Sequence, residues 1–154
     1  MMTLMPLPPS PAYSLVEELR ELAAPTNIHT AAPEEWAQDE LLLRKLGSRG
    51  WGRVYYFRHF YTSGWGEHAG AALSPKALGA FYRFVESAAF PSGTVPSVFL
   101  TDRGGVELSW EDAGGKSVQV EFTRTGAEFF REATGEEDTV PLEEAPHLWQ
   151  RLSS

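Results

Sequence analysis

From Ser97 to Phe122 apolar residues recur at every second position, and this alternation constrains the fold more than any other feature of the chain. A period of two sends successive side chains to opposite faces of a sheet. Val98 and Leu100, then Val106, Leu108 and Trp110, then Val118, Val120 and Phe122 share one face if the chain turns at Asp102-Arg103-Gly104 and at Ala113-Gly114-Gly115. Both are three-residue loops ending in glycine, where a type I turn needs its left-handed residue. A slip of one residue would turn every one of these side chains outward, so loop and face together define the register. A further turn at Thr125-Gly126 returns a strand carrying Phe129 and Phe130. The acidic stretch Glu132, Glu136, Glu137 and Asp138 then leads into a short helix with Ala145, Leu148, Trp149 and Leu152 at helical spacing.

Helical signals dominate the part before the meander. Pro11 behind Ser10 opens an amphipathic run of Ala12, Leu15, Val16, Leu19, Leu22 and Ala23. A second helix starts at Pro33, followed by Glu34 and Glu35 where acids favour a helix N-terminus, and ends at Gly47. Residues 51–61, WGRVYYFRHFY, are dense in β-formers and aromatic on both alternating faces, which reads as a strand covered on more than one side. Ser74 as N-cap and Pro75 at the first position open another helix, its face formed by Leu78, Phe81, Tyr82, Val85 and Ala89. The expected fold is therefore α+β. N-terminal helices, a central aromatic strand and a helix precede an antiparallel β-meander closed by a short C-terminal helix. Residues 1–12 read as a flexible proline-rich lead, and 13–152 as a single domain.

The 154 residues suffice for one hydrophobic core without staples, and the absence of cysteine removes disulfides, thiolate metal sites and cysteine nucleophiles. The four histidines, His29, His59, His68 and His147, share no ligand spacing, so neither a metal nor a cofactor is expected. The start, MMTLMPLPPSP, has no basic n-region and no long apolar stretch, which points to the cytoplasm and away from membranes. The net charge of -8 opposes indiscriminate binding to polyanions, yet residues 44–65 sum to +5 with no acid among them.

The order Gly64-Trp65-Gly66, a Ser-Pro helix, Pro96-Ser97-Val98 and the run from Thr101 to Trp110 resembles a widespread group of small uncharacterised bacterial proteins. Their shared signature is a tryptophan–glycine loop and a hairpin of the form P-x-V…T-D-x-G-G-V-x-L-x-W. The likeness spans roughly residues 63–130, with Glu67 where the group carries an aspartate. It implies this fold and a bacterial source. By analogy with small bacterial proteins encoded beside a toxin, nuclease or defence enzyme, it also implies a co-encoded protein partner.

Two surfaces compete as candidate sites. The deduced register sets Glu107 directly opposite Glu121, with Phe99 and Phe130 on the same outward face. Like charges facing each other across strands are destabilising, so either Arg103, Arg124 or Lys116 screens them or this face meets a basic partner. The second surface is the basic aromatic segment 44–65, with Arg49, Trp51, Arg53, Arg58 and Trp65. Cations among rings suit a protein interface or the phosphates and bases of single-stranded nucleic acid, and also suit a core with internal pairing. A third reading is a small hydrolase or ligand-binding enzyme at the Gly64–Gly70 loop, which would use His59 with Glu67 and His68 as an acid–base group. No nucleophile elbow, phosphate loop or dinucleotide fingerprint is present. The leading expectation is a non-enzymatic interaction protein that binds and inhibits, stabilises or recruits a co-encoded protein.

Overall fold

The computed structural model describes residues 33–61 and 70–154. The predicted helix at 12–23, the lead before it, and the loop residues Gly64 to His68 lie outside them. Among the described residues three α-helices pack against a five-stranded antiparallel sheet. The helices are α1 (Pro33–His59), α2 (Pro75–Ser87) and α3 (Ala145–Ser153). The strands are β1 (Ser97–Leu100), β2 (Val106–Glu111), β3 (Ser117–Phe122), β4 (Ala127–Arg131) and β5 (Glu136–Val140). The order in space is the order in sequence, β1-β2-β3-β4-β5.

The central strand expected at residues 51–61 does not form. Residues 51–59 continue the helical course of α1, which is interrupted where Gly47 takes φ 77°, a left-handed conformation glycine adopts without strain. Trp51, Val54 and Tyr55 are buried at spacings of three and four, together with Phe57, while Tyr56 and Phe60 face outward. With rings at nearly every position, the sequence masks that period. Tertiary burial decides the conformation against local β-propensity.

Ser74 caps α2 as expected, its Oγ accepting from the amide of Ala77 at 3.3 Å, with Pro75 in the first turn. Phe81, Tyr82 and Val85 are buried, and Leu78 packs against the core. The face is centred further toward Ala77, Ala80 and Phe84 than expected, and Ala89 lies beyond the helix and is exposed. Lys45 of α1 donates from Nζ to the carbonyl of Ala88 just past the end of α2, joining the two helices.

The meander has the deduced register. Val98 stands opposite Leu108, Leu100 opposite Val106, Leu108 opposite Val120 and Trp110 opposite Val118. Gly104 and Gly115 take φ 75° and 78° at the ends of their turns. Gly104 is needed twice over, because a side chain there would also collide with the carbonyl oxygen of Ala72. The segment before α2 hydrogen-bonds to this turn through Ala71 N to Asp102 O and Ser74 N to Gly104 O. Phe84, Phe90, Trp110, Phe122 and Trp149 form an aromatic cluster between sheet and helices, with centroids 5.2 to 6.0 Å apart. Rings of this size each remove a large apolar area from water.

A fifth strand stands where an acidic stretch leading to a helix was expected. Residues Glu136–Val140 pair with β4, Phe129 facing Asp138 and Arg131 facing Glu136. Three consecutive acids hide the alternation from sequence, and on an edge strand they deter pairing with another chain. Among the described residues no helix is long and apolar enough to cross a membrane.

Candidate interaction surface

The sheet's outward face carries a row of glutamates. Glu107 on β2 faces Glu121 on β3, which in turn faces Glu128 on β4. The pairing was legible in the sequence for the first two, and β4 adds the third. Adjacent strands lie about 4.8 Å apart, so three carboxylates are held at close spacing by backbone hydrogen bonds they cannot escape.

Among the described residues a single arginine addresses this charge. Arg103, in the turn between β1 and β2, donates from Nη2 to Glu121 Oε1 at 2.6 Å and to Glu128 Oε2 at 2.9 Å. Both bonds hold the guanidinium in its charged form. Of the three cations expected to screen the face, Arg124 and Lys116 make no ion pair with it. Glu107 has no cation within 4 Å among the described residues, and burial, with the Glu121 charge beside it, raises its pKa above the ordinary value. The second oxygen of Glu121 lies buried against Gly105 with no hydrogen-bond partner among the described residues. Among the described residues the row thus has one arginine for three acids.

Around the row lies a shallow depression of about 470 Å³ lined by Glu107, Gln119, Glu121, Glu128, Phe130 and Glu137 among others. Phe99 and Phe130, 41% and 38% exposed, stand beside the row. They are three strands apart, Phe99 beside Glu107 at one end of the row and Phe130 two residues from Glu128 on β4, so they do not form one apolar patch.

The basic aromatic segment is divided between core and surface: Trp51, Tyr55 and Phe57 are buried, while Arg49, Tyr56 and Phe60 are exposed. Trp51 is 1% exposed and its indole Nε1 donates to Asp39 Oδ1 at 2.9 Å, so this ring belongs to the core and not to a surface. Arg58 pairs with Glu35 at 3.7 Å, and Arg49 is exposed with no ion pair among the described residues. Arg53 reaches across to the sheet. Its Nη1 donates to the carbonyl of Val98 at 3.2 Å, and its guanidinium sits over the Phe99 ring, 5.3 Å from the centroid. The two candidate surfaces therefore meet at Phe99, while Trp65 lies outside the described residues.

His59 stacks on Tyr55 with centroids 4.5 Å apart, and burial, with Arg58 adding to it, lowers its pKa. Its proposed partners Glu67 and His68 lie outside the described residues. Tyr82, on α2, has its hydroxyl pushed up to about 12 by burial, with Arg58 opposing. Among the described residues no group of three or more His, Asp or Glu side chains is placed to hold a metal ion.

Comparison with known proteins returned no match to a family model, to a curated protein or to a solved structure.

Proposed function

We propose that the protein is a non-enzymatic binding protein that docks a basic partner protein on the outward face of its sheet, and by docking inhibits, stabilises or recruits it. The observation that carries this reading is the Glu107–Glu121–Glu128 row, three carboxylates in direct register with one arginine between them. A Lys or Arg from a partner would supply the charge Glu107 lacks, and Phe99 and Phe130 offer apolar contacts beside the row. The resemblance to small bacterial proteins favours a partner encoded beside it.

The test is a native pull-down run in parallel with wild type and a Glu107→Lys/Glu128→Lys variant. A basic protein held stoichiometrically by wild type and weakened roughly a hundredfold or more by charge reversal is the expected outcome. A wild-type bait with no stoichiometric partner, or one retained equally by both baits, would overturn the reading.

A further inference from the structure

The molecule carries a second charged feature of opposite sign, built from residues distant in sequence. Lys76 and Arg83 stand seven residues apart on one face of α2, and Arg124 projects from the turn between β3 and β4. With Pro75, Gly79, Thr125, Leu142 and Glu143 they line a groove of about 350 Å³, within the range of small-molecule sites. We propose that this groove binds a small phosphate-bearing anion.

Charge is the first argument. Among the described residues Arg58, Arg103, Arg131 and Arg151 pair with carboxylates, whereas Arg44, Arg49 and Lys116 do not, so what sets the groove apart is that three unpaired cations converge on one hollow. Lys76, Arg83 and Arg124 make no ion pair among the described residues, although Glu143 lies in the same lining. Arginine guanidinium groups match phosphate oxygens with paired hydrogen bonds, and lysine adds a point charge.

Gly79 is the second argument. It sits inside α2, where glycine is a poor helix former, yet a Cβ there would meet only Arg83 Nη1, at 3.4 Å. Packing does not require glycine at this position. Its effect is to leave the groove floor open between Lys76 and Arg83.

The third argument concerns size. Leu142 and Glu143 complete the lining, and the adjoining hollow, which shares Gly79 and Arg83, holds Arg44 as well as Glu40 and Glu86. The groove's own volume of about 350 Å³ suits a compact phosphate group.

Titration of the isotopically labelled full chain at low salt tests this, with inorganic phosphate, inorganic pyrophosphate and a single-stranded oligonucleotide as probes. Saturable amide shifts confined to residues 75–83, 124–126 and 142–143 are expected, with pyrophosphate roughly tenfold tighter than phosphate. Arg83→Glu/Arg124→Glu should weaken pyrophosphate roughly tenfold or more. Gly79→Leu should block it, while Gly79→Ala keeps both the fold and the binding. Shifts that do not saturate or that spread over the surface would sink the proposal. So would a double charge reversal that binds like wild type, or an oligonucleotide tighter per phosphate than pyrophosphate.

Discussion

Two arginine–carboxylate clusters on the same sheet are built to opposite ends. At the β5 edge, Arg151 of α3 bonds Glu136 at 3.1 Å and Asp138 at 3.0 Å, and Arg131 lies 3.7 Å from Glu136. Arg131 also donates to the carbonyls of Arg151 and Ser154, and the Arg151 guanidinium covers the Phe129 ring at 4.8 Å. Two cations meet two acids, and the result ties α3 to the sheet. On the outward face one cation meets three acids, and nothing is tied down beyond the turn that carries Arg103. A balanced cluster is a fastening, and an unbalanced one leaves uncompensated negative charge on the surface.

Removing the lone cation should break this contrast most visibly. Arg103→Ala exposes the whole glutamate row to its own repulsion and should cost about 1 kcal/mol at low ionic strength, read by denaturant unfolding. The loss should shrink in concentrated salt, because Arg103 is half exposed and the charges are screened. An unchanged midpoint at low salt would mean that the row is not strained.

Acid should separate the two clusters by sign. The folded-state pKa of Glu107 is raised, so its charge costs stability at neutral pH, and the cost disappears as pH falls from that raised value through its ordinary 4.5. Glu107→Gln should therefore stabilise the protein by about 0.5 kcal/mol at pH 7, with the gain vanishing in acid. Asp138 behaves oppositely. The Thr139 amide and then Arg151 hold its pKa below 3.8, so it contributes stability above that value and loses it as pH falls through the lowered folded value. Asp138→Asn should lower stability slightly at neutral pH, with no difference from wild type in strong acid. Parallel pH series of chemical unfolding check both, and the same sign for the two variants would erase the distinction.

How much of this was legible depended on whether a residue's neighbours in sequence are also its neighbours in space. Cross-strand pairs such as Leu108 with Val120 and Glu107 with Glu121 follow from turn length and alternation, and both stood in the sequence. The helical course of residues 51–59 did not, because burial of Trp51 against α1's own Asp39 is a tertiary matter. Arg103 was one of three candidates to screen the acids, and only side-chain reach across two strands selected it. The groove at Gly79 joins residues 75 to 143, a separation that no local pattern encodes.

The unbroken order β1-β2-β3-β4-β5 has a kinetic consequence. Each strand pairs with its immediate successor, so the sheet can zip hairpin by hairpin with short loop closures, the topology that favours rapid folding. The helices are different, because α2 precedes the sheet and α3 follows it, yet they pack together. Their contact spans the whole meander in sequence, so prior folding of the meander shortens the loop it has to close, which favours docking of α3, with its β5 fastening, as a late step.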